Sequence, residues 1–117
     1  MTSIATVEDL VGERINGVCF VMDYLELHFN GPILRALLTA VFETPSERWT
    51  FPQIGSREAM CGLIGATVLD AGIDEAQSIQ LRLDEGRIFT IPLDTARGTG
   101  GEAAHLVPGL NRPIAVW

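Results

Sequence analysis

Three polar side chains occur at every second position around residue 26. They are Tyr24, Glu26 and His28, and they alternate with the apolar residues Leu25 and Leu27. Because side chains alternate between the two faces of a β-strand, the three polar groups share one face, with a carboxylate and an imidazole roughly 6 to 7 Å apart. Such a pair can act as a general acid and base, or it can supply two metal ligands.

The same alternation is typical of the solvent-facing side of an ordinary antiparallel strand, and function also requires a convergent pocket. We therefore assign Tyr24, Glu26, His28 and Arg35 as candidate ligand-binding residues, and we predict no catalytic residue, metal or cofactor. A site of two histidines and one carboxylate is conceivable only if His105 folds back towards this strand, and nothing in the spacing predicts that contact.

Two other features invite a chemical interpretation. The glycine-rich segment Gly98 to Gly101 is a poor phosphate loop, because the chain has no lysine and the segment does not join a parallel strand to a helix. A flexible linker is the better interpretation. Cys19 and Cys61 lie among apolar neighbours, which predicts two reduced, buried thiols. With no signal-peptide pattern and no apolar run of membrane-spanning length, we expect a cytoplasmic protein.

The composition limits the classes of partner. The 117 residues carry a net charge of -7, from 15 acidic residues set against eight arginines. The arginines are scattered between Arg14 and Arg112, so the sequence lacks the basic stripe that nucleic-acid binding requires. The same charge favours a basic protein partner. Hydrophobic residues make up 47% of the chain, enough for one domain over residues 1–117 to fold around a single core.

The elements that position these residues follow a repeated pattern. The segment Leu63 to Leu93 has a fainter copy in Leu10 to Leu37, each with a glycine that ends a short helix and an alternating strand pair. We predict an α+β fold of mostly antiparallel sheet, open or barrel-like, built from two similar β-hairpin-rich halves with short helices. The halves cover residues 6–42 and 56–93, and a hairpin over 102–117 adds to the edge of the sheet.

Local signals place the individual elements. A capped helix start is predicted at Thr6 to Asp9, and a second helix is predicted over Arg57 to Leu63 with Ser56 as its cap. The first half is predicted to have a strand over Arg14 to Met22 with its turn at Asp23-Tyr24, a strand over Leu25 to Phe29, and a type I′ turn at Asn30-Gly31. The apolar segment Pro32 to Phe42 could be one strand covered on both faces or a short buried helix, and the flanking turns favour the strand.

The second half resembles a module of small uncharacterised bacterial proteins. The residues that carry the likeness are Leu63-Ile64-Gly65 with Val68, then Ile79 to Gly86 and Ile88 to Pro92. Some relatives of that module are suspected immunity proteins of polymorphic toxin systems. The resemblance implies the architecture of a helix end followed by a hairpin, and it transfers no catalytic residue.

Three interpretations of function follow, and the third, besides the two described next, is a purely structural subunit of a larger assembly. The first is a non-catalytic protein-interaction domain that forms a homodimer. In its most specific form it is an immunity-like protein whose acidic surface binds a basic partner. The alternative is a small-molecule-binding protein or enzyme that uses Glu26 and His28, with Arg35, on the first hairpin. The first interpretation predicts a broad acidic surface, whereas the second predicts a closed cavity into which the polar side chains converge.

Overall fold

Alternating apolar and polar residues fold this chain into two antiparallel β-sheets. A computed structural model describes residues 6–74, 77–93, 102–109 and 113–117. Within those residues there are ten strands, one α-helix and three 3₁₀ helices. The strands are β1 (Gly17–Val21), β2 (Tyr24–His28), β3 (Ile33–Ala36), β4 (Ala40–Glu43), β5 (Arg48–Phe51), β6 (Val68–Asp74), β7 (Ser78–Leu83), β8 (Ile88–Pro92), β9 (Ala104–Val107) and β10 (Ala115–Val116). The helix α1 spans Ser56–Met60, and the 3₁₀ helices span Val7–Leu10, Cys61–Leu63 and Asp84–Gly86.

Each sheet has five strands in the described part of the chain. The first has the order β1-β2-β3-β9-β10, and the second has the order β5-β4-β8-β7-β6. Neither closes into a barrel, so the open form of the prediction is correct. Leu27 and Leu34 from the first sheet and Leu81, Phe89 and Ile91 from the second belong to a single buried cluster. The two sheets therefore share one core, which leaves their opposite faces to solvent.

Neither sheet consists only of strands that are consecutive in the sequence. After β3 the chain leaves the first sheet and forms β4 and β5 beside β8, while β9 and β10 from the end of the chain take the place beside β3. The segments that lead into β1 and β6 also bond to each other. The Gly12 N–H donates to the Val68 carbonyl and the Gly65 N–H donates to the Ile15 carbonyl, both at 2.8 Å. Long-range pairing thus ties the early and late parts of the chain into one unit.

Gly12 and Gly65 were expected to end short helices with positive φ, and they do. Their φ angles are +89° and +95°, a backbone conformation that glycine adopts without steric strain. The helix starts also occur as expected: a 3₁₀ helix follows Thr6, whose N–H donates to the Asp9 carboxylate at 3.2 Å. The prediction that Ser56 caps the second helix is wrong, because Gly55 is the N-cap and the Ser56 hydroxyl donates to the Gln53 carbonyl at 2.6 Å.

The predicted type I′ turn at Asn30-Gly31 is wrong. A type I′ turn needs positive φ at both central residues and an N–H on the residue after them. Gly31 has a φ of +111°, but Asn30 is not among the described residues with positive φ, and Pro32 has no N–H. The Phe29 N–H donates to the Pro32 carbonyl and the Gly31 N–H donates to the Phe29 carbonyl, both at 2.9 Å. Asn30 and Gly31 therefore do join β2 to β3, but in a turn of another type.

The single strand predicted over Pro32 to Phe42 is also wrong. The segment forms β3 in the first sheet and β4 in the second, joined by Leu37, Leu38 and Thr39. Its run of apolar residues reflects two strands that each contribute to the shared core, not one strand covered on both faces. A smaller correction concerns the first turn, which lies at Met22-Asp23, with Met22 at a φ of +53°.

The described residues near the end of the chain form two strands of the first sheet. Residues of β9 and β10 pair with each other, and β9 pairs with β3, which places the hairpin at the edge of the first three strands. The glycine-rich segment Gly98 to Gly101 lies outside the described residues. In the part of the chain that is described, no helix has the length and apolar character needed to cross a membrane.

Candidate functional site

The outer face of the first sheet carries a row of reactive side chains. Pairing places Cys19 of β1 opposite Glu26 of β2, Glu26 opposite Arg35 of β3, and Arg35 opposite His105 of β9. Directly paired residues of an antiparallel sheet point to the same face. The row therefore brings a thiol, a carboxylate, a guanidinium and an imidazole side by side, with His28 two positions further along β2.

Glu26 lies at the centre of this row and holds it together. Its Oε1 is 2.9 Å from Nε2 of His28, and its Oε2 accepts a hydrogen bond of 2.7 Å from Nε of Arg35. The Glu26 side chain is only 12% exposed, whereas His28 is 40% exposed and Arg35 is 32% exposed. A carboxylate with that little water around it depends on its two partners for solvation.

The surroundings of Glu26 shift its acidity. Burial on the sheet raises the pKa of this carboxyl, but the hydrogen bonds and positive charges of Arg35 and His28 outweigh burial, so the pKa lies below its ordinary value. A lowered folded-state pKa means that the ionised carboxylate stabilises the folded protein. That contribution is complete above the unfolded pKa of glutamate, about 4.3, and is lost as the pH falls through the lower, folded value.

Glu26→Gln should therefore make stability less dependent on pH in the acid range. Urea unfolding of both proteins between pH 3 and pH 7 should show the wild type more stable at neutral pH, with the difference shrinking below about pH 4.3 as the carboxylate is protonated. Glu47→Gln is a suitable control, because Glu47 is exposed and joins no ion pair recorded among the described residues. A difference for Glu26→Gln that grows on acidification would contradict the assignment.

The structure brings together three of the four residues predicted from the sequence. Glu26, His28 and Arg35 form the network, while Tyr24 lies on the same strand face but joins no recorded hydrogen bond with them in the described residues. His105 does not complete a site of two histidines and one carboxylate. Arg35 lies between His105 and Glu26 in the sheet, and Nε2 of His105 pairs with the Glu102 carboxylate instead.

Cys19 is the residue of this row that the sequence analysis did not place beside Glu26. Both Cys19 and Cys61 are exposed, so the prediction of two buried thiols is wrong. The neighbours of Cys19 in the sequence are apolar, but its side chain points to the outer face of the sheet because it is paired with Glu26, which points there too. Cys19 and Glu26 lie three residues before and three residues after the turn Met22-Asp23, and this symmetry could have placed the thiol opposite the carboxylate.

A separate cavity of about 290 Å³ lies where the first 3₁₀ helix meets the β2–β3 loop and the end of β9. Two acidic side chains, Asp9 and Glu13, stand among its apolar lining, and none of the lining residues within the described part of the chain is basic. The other lining residues are Leu10, Asn30, Gly31, Pro32, Leu106, Pro108 and Gly109. Sequence reasoning did not find this cavity, because its walls come from segments far apart in the chain.

The two places offer different chemistry. The row on the first sheet presents charged and nucleophilic groups on an open face, and Tyr24, Glu26, His28 and Arg35 do not line the cavity. The cavity presents carboxylates next to apolar walls, which suits a cation on an aliphatic stem. No protein-family model, no curated protein and no solved structure matches this chain.

Proposed function

We propose that this chain is a non-catalytic protein-interaction domain that binds a basic partner, and that the partner inserts a basic side chain into the cavity beside Asp9 and Glu13. The observation that carries this proposal is the described lining of that cavity, which combines the carboxylates of Asp9 and Glu13 with leucine and proline walls. Arginine and lysine bury their aliphatic stems against such walls while their charged ends meet carboxylates.

The charge balance of the chain supports this choice of partner. Among the described arginines, Arg35 is paired with Glu26 and Arg87 is paired with Asp84, so these cations are used within the chain. Arg57 donates to the Met22 carbonyl at 3.1 Å and lies over the Phe51 ring. The net charge of -7 is therefore available to attract a basic protein and to speed its association at low salt. An immunity-like role is the sharpest form of this proposal.

Neutralising the cavity should weaken binding of a basic probe. The probe is a fluorescent, arginine-rich decapeptide of extended conformation, and the readout is its fluorescence anisotropy. The double variant Asp9→Asn, Glu13→Gln should bind it roughly 2- to 30-fold more weakly, since two partly exposed ion pairs are each worth about 0.2 to 1 kcal/mol. The wild-type affinity should also fall as salt rises from 50 to 300 mM.

The double variant Glu47→Gln, Glu58→Gln is the matched control. It changes the net charge equally at two exposed residues that do not line the cavity. An equal loss of affinity in both double variants would mean that the probe senses the overall charge, and it would overturn the cavity as the binding site. Light scattering on the same samples tests the homodimer that we propose with this function.

A second candidate function is the binding or conversion of a small molecule at Glu26 and His28, with Arg35. The observation that favours it is the largely buried Glu26 carboxylate, an unusual group to hold on an otherwise open sheet face. Mass spectrometry of the purified protein should then find an organic ligand that co-purifies with the wild type. It should be absent from the double variant Glu26→Ala, His28→Ala.

We also propose that the chain arose by duplication of one β-rich half. In support, the reciprocal bonds of Gly12 and Gly65 flank a single bridge between Arg14 and Thr67. The first sheet combines β1, β2 and β3 with β9 and β10 from the end of the chain, and the second combines β6, β7 and β8 with β4 and β5 from its middle. β4 and β5 thus occupy in the second sheet the place that β9 and β10 occupy in the first. On this view the pair β9 and β10 corresponds to the pair β4 and β5.

A further inference from the structure

Three metal-binding groups converge on the outer face of β1 and β2. A ligand atom of each of Cys19, Glu26 and His28 lies within 4.8 Å of the other two. The arrangement follows from the sheet itself, because Cys19 and Glu26 are directly paired and His28 follows Glu26 at the next position on the same face. Gly17 is the residue opposite His28, so the position directly across from the imidazole on β1 has no side chain.

We propose that Cys19, Glu26 and His28 form a binding site for a divalent transition metal, with Zn²⁺ as the best fit. A thiolate, an imidazole and a carboxylate oxygen are the donors that Zn²⁺ takes in proteins, at bond lengths of about 2.0 to 2.3 Å. Tetrahedral bonds of that length separate the ligand atoms by roughly 3.3 to 3.8 Å. Donors already within 4.8 Å of one another reach that geometry through small side-chain rotations.

The donor set selects the kind of metal. Ca²⁺ and Mg²⁺ prefer sites made of oxygen atoms alone, whereas sulfur and imidazole nitrogen favour Zn²⁺ and its neighbours in the first transition row. Binding replaces the hydrogen bond of 2.9 Å between His28 and Glu26 with two bonds to the metal. It also releases the Cys19 thiol proton, so metal affinity should rise with pH.

Arg35 acts as a positioning residue in this site. Its bond to Oε2 of Glu26 leaves Oε1 as the oxygen that faces His28, and it fixes the orientation of the carboxylate. Outer partners of this kind typically change metal affinity by about 10- to 100-fold. The three protein donors leave a fourth position for water or for a group of a partner molecule, because the His28 side chain is 40% exposed.

The test is titration of the metal-free protein with Co²⁺, which reports its ligands by absorption. We expect one equivalent per chain, a thiolate-to-cobalt band in the near ultraviolet, and displacement by Zn²⁺, which binds such sites more tightly. Cys19→Ser and His28→Gln should abolish the one-equivalent binding, and Cys19→Ser should remove the thiolate band. Arg35→Gln should keep the band but weaken the affinity about 10- to 100-fold.

The chain supplies matched controls for both ligands. Cys61 is a second exposed free thiol, and His105 is a second histidine paired with a glutamate, so Cys61→Ser and His105→Gln should bind Co²⁺ as the wild type does. Circular dichroism of each variant verifies the fold, and Cys19→Ala replaces Cys19→Ser if the latter does not fold. The proposal is overturned if the wild type shows no thiolate band, if the band survives the loss of Cys19, or if it disappears with Cys61. Such a failure would leave the peptide-binding and organic-ligand assays unaffected.

Discussion

Deletion of residues 102–117 is expected to unfold the protein. The deletion removes β9 and β10, and with them Ala103, Ala104 and Leu106, each at most 1% exposed. It also strips β3 of the partner that pairs with it from Ile33 to Ala36. The lost burial and the newly open edge together exceed a few kcal/mol, a large part of the 5 to 15 kcal/mol that stabilises a domain of this size.

Circular dichroism and urea unfolding would measure this effect. The shortened chain should lose the strand signal and the cooperative transition. Leu106→Asp in the full-length chain should act in the same direction, because it places a charge in the core. Val116→Asp is the control, since Val116 is 50% exposed on β10. A cooperative transition in the shortened chain, close to that of the full chain, would show that the hairpin is dispensable.

Phe51→Ala is expected to lower the free energy of unfolding by about 3 to 5 kcal/mol. Phe51 is fully buried at the end of β5, and its ring stacks on Phe20 with the centroids 5.8 Å apart. Phe20 belongs to the first sheet and Phe51 to the second, so this contact joins the two. Removing the ring leaves a cavity between layers that cannot close without moving a whole sheet.

Urea unfolding of Phe51→Ala can be compared with that of Ile54→Ala. Ile54 is a large apolar residue near in sequence but fully exposed, and its truncation should change stability by no more than about 0.5 kcal/mol. Similar losses in the two variants would mean that the contact between Phe20 and Phe51 contributes little. Phe20→Ala should weaken the same contact, and its effect should not add fully to that of Phe51→Ala.

Much of the local structure could be predicted because it depends on neighbouring residues. The alternation of Leu25 and Leu27 with polar residues places β2, and the glycines at 12 and 65 end their helices as expected. What failed depends on distant contacts. The run from Pro32 to Phe42 could not be divided between two sheets without knowing that β8 and β9 would supply the partners.

The candidate site follows the same rule. Glu26 and His28 share a strand, so their proximity could be predicted from spacing alone. Arg35 was within reach of prediction because one hairpin joins β2 and β3. Cys19 was misplaced because apolar neighbours suggested burial, while its outward direction is set by the register between β1 and β2. The cavity beside Asp9 and Glu13 required tertiary contacts that no short pattern encodes.

The exchange of strands between the sheets also governs the order in which this chain can fold. During synthesis β1, β2 and β3 emerge together and can form hairpins at once, but the free edge of β3 has to wait until Ala104–Val107 has been made. Pairings between residues so distant in sequence slow folding, and an open strand edge can pair with other nascent chains in the meantime. Aggregation of this protein should therefore be decided by how quickly β9 reaches β3, so that variants which delay this one step lower the yield of folded protein without altering its final stability.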